Sequence, residues 1–211
     1  MKTSDLIALL SQDAPLSARY GRNLWLATLG GVVIALALLL FEIGTREDLA
    51  EAMGTVRFLA KLVIAASLGL AALGLAFRIG RPGAKTRGWA LALLFAPALL
   101  AAGVAIELMT VPADEWMTKL VGRNWAYCLT FIPLLALGPL ACLLAAMRGG
   151  APGNPALAGA AAGLAASGIA AVLYATHCTD DSPLFVATWY TIATLVMTAA
   201  GALAGSRLLR W

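Results

Sequence analysis

The side chains able to do chemistry in this 211-residue chain are few, and most of them are gathered in one place. The stretch YATHCTDDSPLFVATWY, residues 174–190, sets the only histidine, His177, beside Cys178, Asp180 and Asp181, between long runs of Ala, Leu and Val. Cys128 and Cys142 are the other two thiols. A thiol next to an imidazole and carboxylates suits three chemistries: a structural disulfide, a reversible thiol switch, or a thiolate metal site. As a cation His177 would lower the thiol pKa, and as a neutral ring it would ligate a soft metal.

The elements that must position these residues are membrane helices. The chain is 61% hydrophobic and 12% charged, with a mean hydropathy of +0.86, too apolar for a water-soluble globule. Stretches free of Asp, Glu, Lys and Arg run over 24–41, 62–77, 88–106, 124–147, 149–179 and 182–206. Each approaches the ~20 apolar residues that cross a bilayer. The second is the shortest, and Lys61 and Arg78 are expected to snorkel to the two surfaces and lengthen it. The fold class is therefore an all-α integral membrane protein with six transmembrane helices.

Orientation follows from the basic residues, which are retained on the cytoplasmic side of short loops. With both termini cytoplasmic, that side holds ten of the 15 Lys and Arg and two of the 11 acidic residues. The tryptophans Trp25, Trp89, Trp116, Trp125, Trp189 and Trp211 fall at or near span ends, where amphipathic rings prefer to sit. The basic balance is explained by topology and calls for no nucleic-acid partner. Residues 1–23 form a cytoplasmic segment and residues 24–211 a six-helix membrane domain.

This topology places Cys178 in the short outer loop between spans five and six, and Cys128 at the outer start of span four. Cys142 lies fourteen residues further in, ~21 Å deeper at helical rise. Cys128 and Cys178 can therefore meet, facing an oxidising compartment, whereas Cys142 reads as a small apolar core residue. The pair is a candidate disulfide or switch, and Cys128, Cys178 and His177 are the candidate metal ligands. No cofactor is required by any motif, and a sensed metal ion at the cysteine pair is the sole candidate ligand. Glu107, at the outer end of span three, reads as interfacial.

Enzyme chemistry finds little support. The chain has no CxxC, HExxH, phosphate-cradling glycine loop or serine with a motif-placed base, and the span cores lack the ionisable groups of a pump. A small membrane enzyme or carrier acting on a lipid or quinone is the alternative. Ahead of span one, MKTSDLIALLSQD places Leu6, Leu9 and Leu10 on one helical face with Ile7 beside them and Asp5 in the first turn. So short a helix needs a surface: the bilayer, the protein's own loops, or a partner's apolar groove. The segment between Thr3 and Ala18 has no basic residue, which disfavours the bilayer. In span five Gly159, Gly163 and Ser167 recur at four-residue spacing, a close-packing face whose partner is either another span or a second copy.

The tail KTSDLIALLSQD, the NWAYCL opening of span four and the HCTDDSPLFVATWY run into span six together resemble the NrsF-type family of bacterial inner-membrane anti-sigma factors. The specific elements are the DLI start and the Cys178, Ser182, Phe185, Trp189, Tyr190 run. The resemblance implies a non-enzymatic protein of the bacterial inner membrane that holds an extracytoplasmic-function sigma factor and releases it under heavy-metal or oxidative stress. It implies sensing by two periplasmic-side cysteines, corresponding to Cys128 and Cys178, and sigma binding through Asp5, Leu6, Ile7, Leu9 and Leu10. Sigma factor and membrane lipid are the expected partners, with no direct nucleic-acid contact, and oligomeric state is left open.

Overall fold

The computed structural model describes residues 16–81 and 83–210. Six helices are long and apolar enough to cross a membrane: α1 (Leu16–Glu42), α2 (Val56–Ile79), α3 (Arg87–Thr110), α4 (Trp125–Met147), α5 (Pro155–Ala175) and α6 (Pro183–Leu208). The described residues contain helices and turns and no strand. This is the only way an apolar chain satisfies its backbone without water, short of a closed barrel. Helix α1 starts eight residues before the charge-free stretch, so Arg19, Tyr20 and Arg22 ride on its first turns.

Local sequence explains the starts. Thr55 accepts from Phe58 N to cap α2, and Asn154 accepts from Leu157 N at 3.0 Å with Pro155 at the first position of α5. α6 begins at Pro183, passes through a π turn at Val186–Tyr190 and continues as α-helix from Thr191. α3 is broken by a turn between Ala92 and Phe95, and Ala96 and Glu107 are its buried residues.

The core is built around α5. Its small-residue face answers the question left open by the sequence: the partner is α6 of the same chain. A methyl group added to Gly159 would lie 2.7 Å from Gly205 Cα, and one added to Gly163 would lie 3.1 Å from Thr198 Cα. On its other side Gly168 meets Gly69 of α2. Close backbone approach supplies the van der Waals contact that drives association in lipid. Helix α1 packs along α4, where Gly31 faces Pro139 and Gly138 faces Ile34. α3 is peripheral, touching α2 and the start of α6.

The loops sort to two ends. Residues 43–55, 111–124 and 176–182 meet at one end, joined by the bonds from Arg46 N to Thr176 O (2.9 Å) and from Asn124 Nδ2 to Thr179 Oγ1 (3.0 Å). At the opposite end Tyr20 donates to Ala76 O (3.2 Å) and packs against Gly80 and Gly150, while Ala151 N donates to Gly80 O. The start of α1 and the Cys178 loop therefore lie at opposite ends of the bundle.

Candidate functional site

Both Cys128 and Cys178 are fully buried, in one cluster with Tyr174, Phe185 and Tyr190. Their sulfurs lie close enough for the charge of one to act on the other. The lacing that brings them together is polar. Asp180, two residues after Cys178, accepts from Arg123 N (3.0 Å), Asn124 N (2.8 Å) and Asn124 Nδ2 (2.9 Å), so its carboxylate sits at the N-terminus of α4. Cys128 follows one turn later, with its N–H bonded to Asn124 O at 2.8 Å. Gly122 is required in this corner. Its φ is +60°, and an added methyl group would come 2.8 Å from Asp180 Cγ.

A second clamp comes from α2 and the first loop. Lys61 Nζ donates to Cys178 O (2.9 Å) and Asp180 O (3.3 Å) and pairs with Asp181 Oδ1. Arg46 reaches the same carbonyl at 3.3 Å, the other Asp181 oxygen at 2.8 Å, and Asp48 in a bidentate pair. The Lys61 side chain is 1% exposed. It does not snorkel to the surface as the sequence suggested. The loop carbonyls and Asp181 satisfy its ammonium inside the protein, which is how a charge survives at that depth.

Glu107 is likewise not interfacial. Only 2% exposed, it accepts from Ser182 Oγ (2.7 Å) and Leu184 N (3.2 Å) and faces Arg57 at 3.4 Å. It thereby caps α6 from the neighbouring α3. Neither role was visible in sequence. The available signal was an ionisable residue bordering an apolar span, which in a membrane protein is itself a pointer to function.

His177 takes a different place from the one its neighbours suggested. Its Nδ1 lies 3.1 Å from Gly44 O and its ring packs on Tyr174. Among the described residues no group of three or more His, Cys, Asp or Glu is arranged to hold a metal ion, so Cys128, Cys178 and His177 are not assembled as a ligand set. Asp180 and Asp181 are spent on the two clamps. Burial pushes the Cys178 thiol pKa up, and the charge that opposes this is the Lys61 ammonium, not the imidazole. All three cysteines are free thiols, and Cys142 is half-buried on α4, five residues from its far end. The sequence-predicted tail residues Asp5, Leu6, Ile7, Leu9 and Leu10 lie outside the described residues.

Two buried free thiols in one cluster, held by a polar frame of Lys61, Arg46, Asp180 and Asp181, are suited to exchanging two S–H bonds for one bridge. A cavity of about 280 Å³, lined by Arg57, Lys61, Glu107, Asp181 and Val186 among others, lies against the same loop.

Comparison with known proteins identifies the family. A family model described as "Negative regulator of sigma F" matches residues 10–211. The anti-sigma-F factor NrsF of Caulobacter vibrioides (strain NA1000 / CB15N) is 38% identical over the full length of both chains. The probable anti-sigma-F factor NrsF of Azospira oryzae (strain ATCC BAA-33 / DSM 13638 / PS) is 35% identical, again over all of both. No solved structure matches the chain.

Proposed function

The chain belongs to the NrsF family of negative regulators of sigma F and is an anti-sigma factor; from that premise we propose how it holds and releases its partner. Residues 1–23, on the cytoplasmic side of the inner membrane, bind a sigma factor of the extracytoplasmic-function class. The apolar face of Leu6, Leu9 and Leu10, with Ile7 and Asp5, docks into a groove on that factor. At the periplasmic end, stress that bonds Cys128 to Cys178 lowers the affinity of the tail.

The observation that carries this reading is the full-length match to negative regulators of sigma F, joined to a bundle with the thiol pair at one end and the root of the tail at the other. A physical route connects them. Cys128 sits on α4, α4 packs along α1, and α1 carries Tyr20, wedged between the turns at Gly80 and Gly150, just after the tail. Close-packed helices adopt discrete arrangements, so a bridge at one end favours a second packing at the other. A coupling of about 1–3 kcal/mol changes sigma affinity roughly 5- to 150-fold.

Oxidation to a disulfide is the primary bonding change, because among the described residues no third His, Cys, Asp or Glu joins the two sulfurs. Capture of a thiophilic cation between the two sulfurs is the second arm of the test. The full chain in lipid nanodiscs is mixed with sigma F, and retention is measured before and after oxidant or cadmium. Retention that falls in the wild type, persists in Cys128→Ser and Cys178→Ser, and is absent from the start in Leu6→Asp and Leu9→Asp supports the proposal. Full retention in the aspartate variants would end the tail assignment, and release that ignores both serine variants would end the thiol assignment.

A further inference from the structure

Two hydroxyls in the thiol site have no oxygen or nitrogen partner among the described residues and only sulfur beside them. Tyr174, on the last turn of α5, is fully buried, and Tyr190, at the end of the π turn, is 5% exposed. Neither Oη has a hydrogen-bond partner among the described residues, yet both lie beside the Cys178 thiol. Unpaired buried hydroxyls are rare, and two directed at one sulfur need a reason.

The protonation state of that sulfur supplies one. A thiol is a weak acceptor, and the Cys178 S–H is turned toward Asp180 O at 3.8 Å. A thiolate would accept from both phenols, and the Lys61 ammonium already stands at the Cys178 carbonyl. Groups arranged this way are complementary to the anion and not to the resting thiol, the relation expected of a reacting centre. Both hydroxyls lie near either sulfur, and nearer to Cys178 than to Cys128. The π turn that delivers Tyr190 is itself a form met most often at functional positions.

We infer that Cys178 is the attacking sulfur of the pair, that Tyr174 and Tyr190 are positioned to hold its thiolate, and that Cys128 resolves the product. The inference rests on the reading of the thiol pair as the sensing group. With a hydroperoxide as oxidant the chemistry balances. The Cys178 thiolate forms an S–O bond as the O–O bond breaks, and the departing hydroxide takes up the proton the thiol released. Cys128 sulfur then attacks the sulfenic sulfur, the S–S bond forms, and the S–O bond breaks as water leaves with the Cys128 proton. The sulfurs lose two electrons and the peroxide gains them. The cavity beside Lys61, Asp181 and Val186 gives a small peroxide a place to approach the loop.

The test uses the full chain in nanodiscs, hydrogen peroxide, and a sulfenic-acid trap read out by peptide mass spectrometry. Cys128→Ser is expected to accumulate trapped sulfenic acid at Cys178, while Cys178→Ser accumulates about tenfold less at Cys128. Tyr174→Phe and Tyr190→Phe should each slow oxidation of Cys178 about tenfold, the loss of one charged hydrogen bond of about 1.4 kcal/mol. Both should leave thermal stability unchanged or raised, because each removes a hydroxyl without a partner, whereas a purely structural tyrosine would lose stability and keep its rate. Sulfenic acid forming first at Cys128, or wild-type rates in both Phe variants, overturns the inference while leaving thiol-dependent sigma release intact. If the wild type forms neither sulfenic acid nor disulfide under peroxide, the inference and the oxidative reading of the pair fall together.

Discussion

Glu107→Ala removes the carboxylate that ties α3 to the start of α6. Two donors lose their acceptor, Ser182 Oγ at 2.7 Å and Leu184 N at 3.2 Å, and Arg57 loses its counter-charge. Arg57 is half-exposed and rehydrates at little cost. Leu184 is 8% exposed, so its N–H stays orphaned. Hydrogen bonds to a charged group contribute about 1.5–3 kcal/mol each, which puts the loss at about 3–6 kcal/mol for the pair. Glu107→Gln keeps an acceptor at the same place and should cost about 1–2 kcal/mol. The loss is local, because α3 contributes little else to the core, so the α6 start should open without global unfolding. Hydrogen exchange by mass spectrometry on the protein in nanodiscs reads this directly. Residues 182–190 should exchange roughly a hundredfold faster or more in Glu107→Ala and about tenfold faster in Glu107→Gln, with α5 unchanged. Unchanged exchange at 182–190 in the alanine variant would refute the capping role.

Other expectations are briefer. Gly159→Ala forces α5 and α6 apart and should cost about 1–3 kcal/mol in detergent thermal unfolding, whereas Gly30→Ala, with nothing within 4 Å of the added methyl group, should be neutral or stabilising. Lys61→Met leaves Asp181 short of a cation and should cost about 3–5 kcal/mol, with Lys61→Met combined with Asp181→Asn closer to wild type, as a double-mutant cycle would register. The Arg46 hydrogen bond holds the Asp48 carboxyl below its ordinary value of 3.8. Stability from that pair is therefore complete at neutral pH, starts to fall below about pH 4, and is lost as pH drops through the lowered value. Exchange protection at Gly44–Asp48 measured down the pH scale should show that window, and a loss already present at pH 6 would contradict it.

Much of the frame was legible along the chain. Hydropathy found the six helices because each must carry a long apolar stretch to cross a bilayer, and their parity placed Cys128 and Cys178 at one end and the start of α1 at the other. The helix-packing stripe at Gly159 and Gly163 was visible as spacing. Its partner on α6 was not, because spacing says that a face is smooth and not what lies against it. His177 illustrates the converse error. It adjoins Cys178 in sequence, but in an irregular turn adjacent side chains diverge, and the imidazole goes to Gly44 O.

The sequence by itself determined the class of protein, the count of its membrane-length helices and the family, since all of these are properties of one-dimensional pattern. Only the tertiary structure decided which charges turn inward. Lys61 and Glu107 lie where a linear reading sends them to the surface, and the rotation of α2 and α3 about their own axes sends them instead to Asp181 and Ser182. The orphaned hydroxyls of Tyr174 and Tyr190 belong to the same category. Whether a phenol meets water, a carbonyl or a sulfur depends on how three helices pack, and on no local run of residues.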